Sequence, residues 1–93
     1  AYSAAKAAMA TATKTLSAEL AEKGIRVNAV APGVIDTAMT SVLSEEILNR
    51  QLANADIKRK GTPAEVAEVI LFLASDRASY VTGQVVRVDA GIG

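Results

Sequence analysis

Tyr2 and Lys6 stand four residues apart in the opening run AYSAAKAAMATATKTL. Residues at i and i+4 share one face of a helix. An ammonium beside a phenol favours the phenolate and lowers the tyrosine pKa. Such a pair can give a proton to a substrate oxygen, or take one from it, near neutral pH. Histidine is absent, which removes the usual general base and the commonest metal ligand. Cysteine is absent too, so the chain has neither disulfides nor thiolate chemistry. The bland alternative is that Tyr2 and Lys6 are only a solvated pair at the start of a helix.

The 93 residues make one small domain at most. With 51% apolar and 22% charged residues the chain reads as globular rather than disordered. Ten basic and ten acidic residues cancel, so no basic field exists to attract nucleic acid or an anionic membrane. The longest apolar run, Val69 to Ala74, is far too short to span a bilayer. The expected setting is cytoplasmic, with no nucleic-acid and no membrane partner.

The elements that must carry these residues follow from periodicity. Ala5, Met9, Ala12, Leu16 and Leu20 recur at helical spacing and predict a helix over 3–22 with a thin, alanine-rich face. Gly24 falls where a left-handed cap belongs. Residues 25–30 alternate as a strand, ended by the Ala31-Pro32-Gly33 break, and 33–43 read as loop. Ser44 caps a predicted helix over 45–55, with Leu43 and Leu48 at hydrophobic-staple spacing. Thr62-Pro63-Ala64-Glu65 has the form of a capping box with proline in the first turn. The helix that follows, to about Ser75, is apolar around most of its circumference and is expected to be buried core. Lys58, Arg59 and Lys60 read as a solvated hinge. A last strand spans 84–88. The order helix, strand, helix, helix, strand makes the two strands parallel, joined by a right-handed crossover.

Three segments, in order and spacing, carry a resemblance. They are Tyr2-Ser-Ala-Ala-Lys6 (YxxxK), Arg26-Val-Asn-Ala-Val-Ala-Pro-Gly33 followed by Thr37 (PGxxxT), and the terminal Val81-Thr-Gly-Gln-Val-Val-Arg-Val-Asp-Ala-Gly91. Together they resemble the C-terminal part of a short-chain dehydrogenase/reductase, most closely the 3-oxoacyl-[acyl carrier protein] reductases of fatty acid biosynthesis. The resemblance covers essentially the whole chain. It implies an α/β fold: the C-terminal portion of a doubly wound Rossmann-type sheet, incomplete on its own. Residues 1–93 would form one partial domain, with 38–60 as a substrate lid.

The resemblance also implies roles. Tyr2 would protonate a ketone oxygen as hydride arrives, and Lys6 would depress its pKa and hold the nicotinamide ribose. Tyr2, Lys6, Pro32, Gly33, Ile35 and Thr37 would contact the cofactor, Thr37 reaching toward the pyrophosphate. Met39 would meet an acyl chain, and no metal is implied. By their residue types alone, Pro32-Gly33 is equally a strand-ending turn and Thr37 a loop hydroxyl. The cofactor of the parent enzyme would be NAD or NADP, with NADP slightly favoured, and the substrate a small ketone or an acyl-carrier-protein-linked thioester. The glycine-rich phosphate turn and the family's catalytic serine and asparagine are not in these residues. The isolated chain is therefore expected to bind no dinucleotide and to be inactive. The competing expectation is a non-catalytic module that self-associates, or pairs with the missing half, through its exposed strand edge and alanine-rich helix.

Overall fold

The computed structural model describes residues 2–92, with side chains described for 4–92. Helix α1 (Tyr2–Leu20) runs into a 3-10 turn at Ala21–Lys23. Gly24 closes it at φ 71°, the left-handed cap that a side chain would resist. Strand β1 (Ala29–Pro32) follows, then two short helices, α2 (Ala38–Ser41) and α3 (Glu45–Leu52). Helix α4 (Pro63–Ala74) and a 3-10 turn (Asp76–Ala78) lead to β2 (Val85–Val88). β1 and β2 pair in parallel, Ala29 opposite Val85 through Pro32 opposite Val88. This is the two-stranded, open α/β arrangement that the element order predicts.

The local signals hold. Thr62 Oγ1 accepts from the Glu65 amide while the Glu65 carboxylate accepts from the Thr62 amide, with Pro63 in the first turn. Ser44 caps α3 by accepting from the Ile47 amide.

Long-range contacts change other boundaries. β1 begins at Ala29, not Ile25, because side chains replace the ladder upstream of it. The Asn28 amide donates to the Val81 carbonyl (2.9 Å) and accepts from the Gln84 amide (3.1 Å). The Val27 amide donates to Thr82 Oγ1 (3.0 Å). The Arg26 guanidinium donates to the carbonyls of Leu73 (2.8 Å), Ser75 (3.0 Å) and Val81 (3.3 Å). Arg26 thus closes the C-terminal end of α4, where orphan carbonyls and the helix dipole favour a cation. At its other end β1 continues through Pro32 rather than breaking at Ala31. The amides of Ala29 and Gly33 donate to the carbonyls of Gln84 and Val88, so the alternate position 32 faces the outer edge, where a missing N–H costs no ladder bond.

Helix α3 stops at Leu52 rather than at 55, and the expected loop 33–43 contains α2. Thr37 and Thr40 build a reciprocal cap there, amide to hydroxyl in both directions. The 58–60 cations are anchored rather than merely solvated. Lys58 Nζ donates to the Ala53 carbonyl, Arg59 forks onto Glu65 (2.9 and 2.8 Å), and Lys60 pairs with Asp36 (3.0 Å).

Burial departs furthest from expectation. Helix α4 is not buried core: Leu73 is its only buried residue, and Leu71 is 62% exposed beside exposed Ile70 and Phe72. On α1 the side against the sheet buries Thr13 and Ser17, whose hydroxyl shares a 2.8 Å hydrogen bond with Thr82. Of the expected apolar row, Met9 borders the sheet yet stays 38% exposed, and Leu16 is 46% exposed. Among the described residues, the buried apolar ones are Ala31, Leu52, Ala55, Leu73 and Ala78. The accessible surface is 6545 Å² at 9.6 kDa. A self-contained protein of that mass exposes about 5,100 Å². The radius of gyration, 15.2 Å, likewise exceeds the roughly 12 Å of a compact domain of this length. The apolar faces of α1 and α4 await cover that this chain does not provide. Among the described residues, no helix is long and apolar enough to cross a membrane.

Candidate functional site

The parallel pair sets the site. In open α/β sheets ligands bind outside the carboxyl ends of the strands. At that end of β1 lies an open cleft of about 690 Å³ that brings together Pro32, Gly33, Ile35 and Met39. Four of the residues singled out in the sequence therefore share one recess. Val34, Thr40, Leu43, Gln51, Asp89 and Ile92 complete its wall; in the sequence none of them has an individual role in a site.

The turn that forms its floor has little freedom. The Gly33 amide donates to the Val88 carbonyl (2.9 Å). A Cβ added at Gly33 would stand 2.8 Å from both Cα and Cβ of Asp89, so only glycine fits against the end of β2. Asp89 is itself fixed: its carboxylate accepts from Arg87 Nε (3.0 Å) and from the Gly91 amide (3.1 Å). Met39 is 83% exposed on the opposite lip.

Two strands of chain enter and leave the 38–60 segment side by side. The Gly61 amide donates to the Val34 carbonyl and the Asp36 amide to the Gly61 carbonyl, both at 2.8 Å. These bonds form a parallel bridge between Ile35 and Gly61, and the Lys60–Asp36 ion pair lies against it. Beyond it, the Arg59 fork and the Thr62 amide hold the Glu65 carboxyl down to about 2, and Glu65 in turn raises the Arg59 pKa. Thr37 lies just outside the cleft wall, at the N-cap of α2. Its Oγ1 accepts from the Thr40 amide, which leaves the hydroxyl proton available to another acceptor.

Lys6 occupies a second, smaller recess of about 180 Å³ between α1 and the sheet, with Ala31, Val85 and Arg87. Ala31 lines this recess and Pro32 the cleft, so consecutive residues of β1 border the two. Tyr2 begins α1 one turn before Lys6, and its side chain lies outside the described residues. Among the described residues no group of three or more metal-ligating side chains exists.

Comparisons with known proteins agree on the family. A family model described as Enoyl-(Acyl carrier protein) reductase matches residues 1–93. The 3-oxoacyl-[acyl-carrier-protein] reductase FabG of Thermotoga maritima is 54% identical over 98% of this chain. The reductase of the same name from Aquifex aeolicus is 50% identical over the same share. The chain spans 37% of the length of each. The crystal structure of 3-oxoacyl-[acyl-carrier protein] reductase from Brucella melitensis superposes with a TM-score of 0.91 at 46% identity, over 98% of this chain and 34% of that one. Matched end to end by the family model and superposable on part of such a fold, the chain belongs to the short-chain dehydrogenase/reductase family.

Proposed function

We propose that this chain supplies the proton-donor helix, the nicotinamide-facing turn and the substrate lid of an NAD(P)-dependent reductase acting on 3-oxoacyl thioesters. The observation that carries the reading is the convergence of Pro32, Gly33, Ile35 and Met39 on one cleft at the carboxyl end of β1. The residues fit the nicotinamide end of a dinucleotide. Pro32-Gly33 exposes backbone without side-chain bulk, Ile35 gives an apolar wall, and Thr37 keeps a hydroxyl proton for an anionic oxygen. The adenine end would be held by a glycine-rich turn outside these residues. NADP is the favoured cofactor over NAD.

When bound, the reduced nicotinamide supplies hydride to the carbonyl carbon of the 3-oxo group. The Tyr2 phenol gives its proton to the carbonyl oxygen, which becomes the hydroxyl of the product. The Lys6 ammonium stabilises the phenolate left behind and so brings the phenol pKa toward neutrality. Residues 38–60 close over the acyl chain, hinged at the Ile35–Gly61 bridge, with Met39 against the alkyl carbons.

A structural consequence accompanies this reading. The uncovered faces of α1 and α4, and the surface in excess of a self-contained fold, support association with the dinucleotide-binding segment and with further copies. The substrate is small or carried on acyl carrier protein.

The test is NADPH oxidation by the whole protein with an acetoacetyl thioester. Turnover that is lost in Tyr2→Phe supports the reading. Absence of turnover with 3-oxoacyl thioesters of any chain length, in protein that binds NADPH, refutes the substrate class.

A further inference from the structure

Beyond β2 the chain turns sharply, and one carboxylate builds the turn. The Asp89 carbonyl accepts from the Ile92 amide (3.0 Å), which closes a four-residue turn. Both central residues, Ala90 (φ 56°) and Gly91 (φ 87°), are left-handed. That conformation is costly for alanine and needs support from its surroundings. The Asp89 side chain supplies it. Only 8% exposed, it accepts from the Gly91 amide (3.1 Å) and from Arg87 Nε (3.0 Å). The turn presents the Ala90 carbonyl to the lid. That oxygen accepts two amides of the lid's return leg, Asp56 (2.7 Å) and Ile57 (3.2 Å). The approach is close: a Cβ added at Gly91 would stand 2.8 Å from Asp56 Cγ. Leu52 and Ile57 of the lid meet Val88 and Ile92 around a neighbouring cavity of about 110 Å³.

Resting on the reductase reading, we propose that Asp89 is a positioning residue for the thioester: it fixes the Ala90 carbonyl from which the lid's return leg hangs. Two other contacts hold the lid at its base, the Ile35–Gly61 bridge and the Lys60–Asp36 pair. Both lie where the segment enters and leaves, and alone they would let residues 53–57 swing. The Ala90 carbonyl adds a second fixed point on the return leg. With it, α3 is set before substrate arrives. Without it, part of the binding energy of the acyl group goes to ordering the lid. The roles of Asp89 separate by atom. Its Cα and Cβ back Gly33 under the nicotinamide turn, whereas its carboxylate holds the turn that carries the lid. Truncation beyond Cβ therefore loosens the lid and leaves the floor of the cleft intact.

The experiment uses the whole protein as wild type, Asp89→Ala, Asp89→Asn and Gly91→Ala. Backbone amide exchange is followed beside NADPH binding and steady-state reduction of an acetoacetyl thioester. In Asp89→Ala the Asp56 and Ile57 amides lose about tenfold or more of their protection, while Ala29 and Gly33 keep theirs. KM for the thioester rises about tenfold, with kcat and the Kd for NADPH within about threefold of wild type. Asp89→Asn keeps a neutral acceptor for the Gly91 amide and returns KM to within about threefold of wild type. Gly91→Ala leaves the carboxylate in place but drives a methyl against Asp56, and gives the same split between KM and kcat. It decides the question if Asp89→Ala does not fold. Wild-type protection at Asp56 and Ile57 in both Asp89→Ala and Gly91→Ala, or a thioester KM within about twofold of wild type in both, overturns the inference while the reductase reading stands. A parallel loss of NADPH and thioester binding, the mark of a purely structural residue, overturns it too. Wild-type protein that binds NADPH but reduces no 3-oxoacyl thioester sinks the reading and the inference with it, and no variant is needed to see that result.

Discussion

Gly33→Ala is the perturbation that tests the geometry of the cleft most sharply. The added Cβ would stand 2.8 Å from Cα and Cβ of Asp89, whereas carbon atoms rest at about 3.5–4.0 Å. The turn must move by about 0.7 Å or more to restore ordinary contact. Asp89 cannot yield freely, because Arg87 and the Gly91 amide hold its carboxylate. Overpacking of this kind costs about 1–3 kcal/mol. A loss of that size lowers Tm by about 2–12 °C in a whole protein of about 150–250 residues. Gly33 also forms the floor of the proposed nicotinamide site, and a misplacement near 1 Å there lowers turnover by up to about 100-fold. Gly24→Ala is the control. Nothing lies near its Cβ, and the only penalty is its φ of 71°, about 1 kcal/mol, with no route to the cleft. The assay pairs thermal unfolding with kcat/KM for NADPH-dependent thioester reduction. Gly33→Ala should lose both stability and activity, Gly24→Ala stability alone. Wild-type Tm and kcat/KM in Gly33→Ala, or equal loss of activity in both variants, would refute the tight approach of β1 and β2 at the cleft.

Other outcomes follow from the same contacts. Arg26→Ala removes a cation that donates to the carbonyls of Leu73, Ser75 and Val81; urea unfolding should show a loss of about 2–3 kcal/mol. Arg26→Lys should recover only part of it, since an ammonium cannot reproduce the guanidinium fork. Ala90 stands at φ 56°, so Ala90→Gly should raise stability by about 1 kcal/mol by the same measurement, and a loss would show that the conformation is not strained. The Glu65 carboxyl titrates near 2 in the fold instead of 4.5. A depressed folded pKa contributes stability above the unfolded value and loses it as pH falls through the folded one. The stability difference between wild type and Glu65→Gln should therefore be constant above pH 4.5 and shrink toward pH 2, followed by circular dichroism; a difference that does not change with pH would contradict the Arg59–Glu65 assignment.

What the sequence discloses is what is decided locally. The capping box at Thr62 and Glu65, the left-handed Gly24 and the caps of α3 each depend on three or four neighbouring residues, and each stands where the pattern places it. The parallel pairing follows from two strands separated by helices. Arg26 was not legible as a clamp because its partners lie 47 to 55 residues away. Residues 25–28 look like strand from alternation alone, yet side chains of Asn28 and Thr82 take over the ladder there. Apolar composition predicted a buried α4, but burial needs a partner surface on every side, and Ile70, Leu71 and Phe72 stay about half exposed or more within the described residues. Of the cleft, the Pro32–Met39 side belongs to one contiguous motif, whereas Leu43, Gln51, Asp89 and Ile92 converge on it only through the tertiary fold.

The central claim is that the helix beginning at Tyr2 carries the proton donor of the reduction, while the turn at Pro32-Gly33 serves the nicotinamide. The direct measurement is NADPH binding and single-turnover thioester reduction on the same preparation of Tyr2→Phe protein. The account predicts NADPH affinity within about tenfold of wild type and reduction slowed by about 100- to 10,000-fold. Reduction at the wild-type rate without the phenol would contradict it.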